Sequence, residues 1–530
     1  MTKGFRQSQS TLHTWSGLLL GWVLFAVFVS GTAAYWREAL NRWSRPELAQ
    51  IEDPDRVVRG AVRFLEKHAP DAQSWFIQVP TNRSAGAEVF WRPQPNDDQA
   101  PSGRRETSAL IGANGQSVTT RETRGGELFY RFHFDLHYMP TVWGRWLVGV
   151  ATMFMLVAIL SGIVTHKKIF KDFFTLRRAK GQRSWLDGHN AAAVLALPFH
   201  LMITYTGLVT LFFLYMPWAS MANYTDKVMV FDDLFPKLET AERTGQPTRL
   251  VDLVPVIDDG EQRLGAPIGN ILVSEPGDAA ARITLSQSNA SMLSSRTPDL
   301  TYDGTNGSLL WRSPPLGGAT ITQGAMVGLH TGRFADYSIR WLYFLCGIAG
   351  SLMVASGLIL WVVKRRNKLP DPDLPHFGFR LVERLNIGFI AGFPIGMVSF
   401  LWANRLLPTQ MVARAEWEIH VMFICWSMVL VYAFFRRPLR AWLELLGLLS
   451  LALLTLPIFN LLATPAGLNA TIGAGDWVLA GTDLTLAALG GGFGFAAWRV
   501  AQFRPKIRAT CARDAQVVVG ADTSELVSAK

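Results

Sequence analysis

Apolar residues in this chain gather into long runs with few charges, separated by polar stretches that alternate more finely. The run from Leu18 to Ala34 contains no charged side chain, and a second run follows Gly188 as far as Tyr215. At about 1.5 Å of rise per residue, each is long enough to cross a hydrocarbon core as a helix. Further runs end near Ser161-Gly162, Trp361, Leu406, Phe435, Leu462 and Trp498. Together they predict about eight membrane spans at the usual ~20 residues each. The first run exceeds the core of an ordinary cleavable leader, which predicts a retained helix.

Two parts of this pattern repeat. His13 lies eighteen residues before Gly31, and His189 lies eighteen residues before Gly207, each glycine preceded by Ser or Thr. Leu136-His137 leads to Arg145-Trp146 and Ser161-Gly162, as Leu329-His330 leads to Arg340-Trp341 and Ser356-Gly357. The order of helix, polar module, helix therefore occurs twice. Within each module, a helical spacing comes first (Val57, Val58, Ala61, Val62, Leu65), followed by short strand-like runs such as SWFIQVP and AEVFWRP. The second module repeats this with LVDLVPVIDDGEQRLG, then NILVSEPG and ARITLSQS.

The expected fold is thus a polytopic α-helical membrane protein of about eight transmembrane helices with two small α+β extracytoplasmic domains. Its divisions are residues 1–37 (N-terminus and first span), 38–141 (first module), 142–217 (spans two and three), 218–338 (second module), 339–366 (span four) and 380–500 (four further spans). Residues 501–530 are expected to be a disordered cytoplasmic tail. Composition agrees with a membrane chain, since 49% of residues are hydrophobic and only 17% charged. Basic residues before the first span, from His166 to Arg183, after Trp361, at Arg436 to Arg440 and from Arg499 to Arg513 place both termini in the cytoplasm by the positive-inside rule. The net charge of +10 belongs to these dispersed loops, so it does not point to nucleic acid.

The motifs LHTW, HFDLHY, WGRWLVG, SWLDGHN and GLHTGRFADYSIRWLYFLCGIAG, taken in this order over about residues 10 to 365, resemble the PepSY-associated transmembrane family. Members include iron-regulated inner-membrane proteins and ferric-siderophore reductases, and the resemblance implies PepSY-like modules and b-type haem held by histidine in the helical core. It implies nothing for residues 380 to 500.

The chain has ten histidines, and buried imidazoles in a bilayer default to functional or hydrogen-bonded roles. A pseudo-twofold repeat would bring His13 to His189 near the cytoplasmic face and His137 to His330 near the other, giving two b-type haems with iron between paired imidazoles. His200 and His166 lack symmetric counterparts, Leu24 and Trp361 taking those places, and are candidates for a third haem. On one continuous helix, His200 would face the same way as His189, about 16 Å away in depth. Against ligation, each of these histidines could be an interfacial or loop residue. His133, one helical turn before His137, could orient it; His420, His68 and His376 carry less. Arg145, Arg333 and Arg340 could pair with haem propionates or anchor the membrane interface.

Cys346, Cys425 and Cys511 are isolated, which leaves no covalent haem motif, iron-sulfur ligand run or disulfide framework. Nucleotide, dinucleotide, HExxH and GxSxG signatures are absent too. The expected function is inner-membrane electron transfer from a cytoplasmic or membrane donor to a ferric siderophore. Two other readings stay open: an anchored module that binds or regulates a partner such as a peptidase, and a siderophore transporter.

Overall fold

The computed structural model describes residues 4–503 apart from 50, 82–83, 85, 96–106, 167–176, 178–179, 240, 367 and 372–373. The expected tail from 504 onward, with Cys511, lies outside the described residues, as does most of the basic loop after His166. Six helices, α6 (Thr141–Thr165), α14 (Tyr337–Arg366), the joined α15 and α16 (Phe377–Ile390, Gly392–Leu406), α17 (Arg414–Phe435), α18 (Pro438–Ala463) and α20 (Trp477–Ala501), are each long and apolar enough to cross a membrane.

The two remaining predicted spans are not straight. α1 (Phe5–Leu19) and α2 (Gly21–Ala34) meet at 65°, and α7 (Gln182–Leu195) and α8 (Leu197–Thr210) meet at 68°. Counting each bent pair as one span gives the eight expected from sequence. At the second break Pro198 lies in the first turn of α8 and supplies no N–H to carry the bonding of α7 onward. At the first, Gly21 stands against Leu358, where a Cβ would come within 2.7 Å of a side-chain carbon. The bend also removes the premise that His189 and His200 share one helix axis.

The repeat is visible in how the helices pack. α1 lies on α6 as α7 lies on α14, while α2 lies on α5 (Gly126–Asp135) as α8 lies on α13 (Gly318–Thr331). The halves interlock because α2 also packs on α14 and α8 on α6.

The two polar modules do not stay separate. Strands β1 (Ser74–Gln78), β2 (Ala87–Arg92) and β3 (Ser108–Ile111) join β4 (Ile268–Ser274), β5 (Arg282–Gln287), β6 (Asp299–Asp303) and β7 (Leu309–Arg312) in one seven-stranded antiparallel sheet, ordered β3-β2-β1-β4-β5-β6-β7. The seam is β1 with β4, in the register Ser74 to Ser274 through Gln78 to Asn270. Pairing these two strands gives each module's otherwise open edge a hydrogen-bond partner. Trp75, Ile77, Val89, Ile271, Val273, Ile283 and Leu285 alternate onto one face, which α4 (Pro54–His68) and α12 (Leu253–Leu264) cover. Both helices start on an aspartate cap: Asp53 accepts from Arg56 N at 3.0 Å, and Asp252 accepts from Val254 N at 3.1 Å.

Helices α15 to α20, including the short α19 (Leu468–Gly473), pack through a continuous apolar core against α2, α3 (Arg37–Trp43) and α5. Phe129 meets Phe400 at 5.4 Å and Phe132 stacks on Phe393 at 5.2 Å between ring centres. At their sheet-side end, buried Arg42 pairs with Asp476, the Trp43 indole donates to Asp483 at 2.8 Å, and Arg414 pairs with Glu418. Such ions are tolerable in a core only because each is paired and hydrogen-bonded. Three short helices, α9 to α11 (Phe212–Tyr215, Trp218–Asn223, Lys227–Leu234), link α8 to the sheet.

Candidate functional site: two facing histidine pairs

At the end of the helices far from the sheet, His13 of α1 and His189 of α7 face one another with ring centres 6.2 Å apart and planes at 69°. At the sheet end, His133 of α5 and His330 of α13 face one another at 6.0 Å and 33°. The sequence expectation thus holds for the geometry of His13 with His189 and fails for His137 with His330. His137 instead stacks on Phe423 of α17 at 5.5 Å and lies against Tyr138 at 4.3 Å. The reason is local: α5 ends at Asp135, and Leu136 takes a φ of 56°, turning the chain away before His137. Spacing could not have decided between them. His133 lies twenty-nine and His137 twenty-five residues before Gly162, bracketing the twenty-seven from His330 to Gly357.

Each of the four paired imidazoles has its Nδ1 on a backbone carbonyl of another helix: His13 on Ala158 at 2.8 Å, His133 on Val27 at 2.8 Å, His189 on Met353 at 2.9 Å and His330 on Ile203 at 3.1 Å. In every case that carbonyl belongs to the residue four before the glycine of a Ser/Thr-Gly pair: Gly162, Gly31, Gly357 and Gly207 respectively. A carbonyl in a helix already accepts from the amide four residues on, and the side chain there would cover its free lone pair. Glycine uncovers it. A Cβ would meet His133 Nδ1 at 2.5 Å on Gly31 and His330 Cε1 at 2.9 Å on Gly207; on Gly162 and Gly357 it would stand 3.2 and 3.1 Å from the rings of His13 and His189. The repeated Ser/Thr-Gly motif is therefore a seat for a histidine, but Gly31 seats His133 rather than His13.

A carbonyl oxygen can only accept, so each Nδ1 carries the hydrogen and each Nε2 is left with its lone pair. This is the arrangement in which a second partner fixes the tautomer and orientation of a metal-binding imidazole. The spacing also fits iron. The ring centres, 6.2 and 6.0 Å apart, leave space for one metal-centred group that the two imidazoles of a pair would hold between them. No group of three or more His, Cys, Asp or Glu side chains forms a metal site among the described residues. A bare ion would have two protein ligands at either pair, whereas a haem would bring its remaining ligands with it. The residues present fit haem.

A cavity of about 260 Å³ adjoins the sheet-end pair, lined by Phe28, Gly31, His133, Phe199, Ile203, Gly207 and His330, with Arg37, Arg333 and Arg340 also in its wall. Arg333 is exposed and forms no ion pair among the described residues. Arg145, another cation considered for this role, is held by Asp135 at 2.7 Å.

His200 and His166 do not make a third pair. His200 is completely buried, edge-on to Phe28 and Phe199 at 6.1 Å each, with no second imidazole opposite. It is set midway, seven residues before Gly207 on α8 and against Gly350, seven before Gly357 on α14, so about 10 Å of rise separates it from either pair. His166 is the C-cap of α6 and makes no ring contact with another histidine among the described residues. His420 bonds the Tyr138 hydroxyl, His376 caps α15 by accepting from Phe379 N at 3.2 Å, and His68 bonds the Phe64 carbonyl at 2.8 Å.

Comparison with known proteins places the chain in a family without bearing on the histidine pairs themselves. The chain is 27% identical over 304 residues, 54% of its length, to the uncharacterized protein PA4219 of Pseudomonas aeruginosa, covering 74% of that protein. A family model described as the PepSY-associated TM region matches residues 10–364, from just before His13 to the last turn of α14. All four facing histidines fall within the match and α15 to α20 fall outside it. By this match over most of its length, the chain belongs to the PepSY-associated transmembrane family.

Proposed function

We propose that this protein is an electron-transfer protein of the bacterial inner membrane. In this reading it holds two b-type haems, one between His13 and His189 and one between His133 and His330, and reduces a ferric siderophore on the sheet side. The observation that carries the proposal is the duplicated pair of facing imidazoles, each with Nδ1–H donating to a glycine-uncovered carbonyl and Nε2 left with its lone pair. Haem, when bound, supplies one-electron reduction and oxidation of its iron.

The protein's own contributions follow from its residues. The carbonyl contacts hold the four rings in one tautomer, so ligation needs no reorganisation of the protein. Apolar walls such as Phe28, Phe199 and Ile203 keep water from the sheet-end site. Arg333 supplies a cation where a carboxylate of a bound group needs a partner, while Arg37 and Arg340 stand in the same wall already paired with Glu127 at 3.4 Å and Glu38 at 3.6 Å. The positive-inside rule puts the sheet outside the cytoplasm and the His13/His189 pair near the cytoplasmic face, with both termini inside. An electron donor in the cytoplasm or membrane would then feed the far-end pair. Hard oxygen chelates hold Fe(III) far more tightly than Fe(II), so reduction would loosen the iron for release. A purely anchoring or peptidase-regulating protein has no use for two such sites at opposite membrane faces.

The test is a spectrum of detergent-purified protein, oxidised and dithionite-reduced, with pyridine haemochrome per chain. Two haems per chain, falling to one in either His13→Ala or His133→Ala, would support the reading. Protein from haem-replete cells that contains no haem would refute it.

A further inference from the structure

Away from the histidines, α4 and α12 lie side by side on the sheet but touch over only a short stretch, leaving a cleft of about 610 Å³ between them. Its floor is apolar, formed by Val58, Val62 and Leu253, and three guanidiniums, Arg59, Arg63 and Arg249, stand in its walls. All three are exposed, and none forms an ion pair or side-chain hydrogen bond among the described residues. Arg59 and Arg63 are one helical turn apart, an arrangement in which like charges repel and the helix is slightly destabilised. Two carboxylates line the same space, Glu66 and Asp252, but Asp252 is committed to the amide of Val254 at the start of α12. That helix start adds its own positive end to the cleft wall.

We propose that this cleft is a binding site for a small polyanion bearing carboxylate or phosphate groups. Three cations around an apolar floor match a compact molecule with several acidic groups, because each guanidinium presents paired donors to a planar carboxylate or a phosphate face. The cleft is formed wholly from the sheet domain, so the proposal stands whether or not the histidine pairs hold haem.

Full-length protein in nanodiscs of uncharged lipid is titrated calorimetrically with citrate and, separately, with inorganic pyrophosphate. The expected result is saturable binding of at least one of them. Arg63→Gln and Arg249→Gln should each weaken it about ten-fold, with partial recovery in Arg63→Lys. Lys67→Gln, on the same helix outside the cleft, should leave binding unchanged. The exposed positions make folding failure testable by an unchanged melting curve. Absence of binding by both anions at millimolar concentration overturns the proposal. So does unaltered binding in the Arg63 and Arg249 variants, or equal weakening by Lys67→Gln, which would mark a diffuse charge effect.

Discussion

The glycine seats give the sharpest prediction. In Gly31→Ala the new Cβ would stand 2.5 Å from His133 Nδ1 and 2.6 Å from its Cε1, closer than non-bonded atoms tolerate. The ring must move, and the bond from its Nδ1 to the Val27 carbonyl, now 2.8 Å, is lost. Overpacking of a tight site costs about 1–3 kcal/mol and the lost bond about 1 kcal/mol, against a gain of about 1 kcal/mol from replacing glycine by alanine inside a helix. The net is a destabilisation of about 1–3 kcal/mol, centred on one histidine. Gly17→Ala on α1, where a Cβ would meet nothing within 4 Å, brings only the helical gain and serves as the control. The assay pairs a thermal unfolding curve in detergent with haem per chain. Gly31→Ala should melt lower than Gly17→Ala and lose the sheet-end haem while keeping the other. If Gly31→Ala melts together with Gly17→Ala and keeps both haems, the seat is refuted.

The remaining predictions concern single side chains. His133→Ala should remove one haem per chain while His137→Ala, stacked on Phe423, leaves the haem count unchanged; pyridine haemochrome distinguishes them. His200→Phe should retain both haems and melt at or above the parent temperature. It removes a buried Nδ1 that has no partner among the described residues, a defect worth about 1–3 kcal/mol, which outweighs the loss of the long 3.4 Å contact from Nε2 to the Cys346 carbonyl. Outside the membrane, burial alone would raise the carboxyl of Asp278, but bonds from Ala280, Thr244 and Gly245 amides and the Thr244 hydroxyl bring it down to about 2. A depressed carboxyl contributes stability that is present above its unfolded value and lost as pH falls toward about 2. Acid unfolding of the sheet domain, followed by near-ultraviolet dichroism, should therefore depend less on pH below about 4 in Asp278→Asn than in the parent.

Part of this architecture was legible in the chain itself. Length and apolarity fix the spans, since a run such as Leu18 to Ala34 has no alternative to burial in lipid or core. The alternation in SWFIQVP and AEVFWRP fixes strands and which side chains share a face. The repeated Ser/Thr-Gly pairs flagged positions of close approach, and the matched His13 and His189 flagged one histidine pair.

Tertiary structure alone decided the rest. Whether two modules form two sheets or one depends on an edge-to-edge pairing of β1 with β4, nearly two hundred residues apart, which no local pattern encodes. The choice of His133 over His137 turns on where α5 stops and on the positive φ of Leu136, a backbone feature that a leucine does not advertise. The bends at Leu20 and Ala196 place His13 and His189 off the axes of α2 and α8. The role of α15 to α20 likewise emerged only from packing: Phe400, Phe393 and Phe423 brace the helix that carries His133, through contacts spanning some 260 to 290 residues of sequence. Periodicity records what each segment must bury; which partner buries it is settled by the whole chain at once.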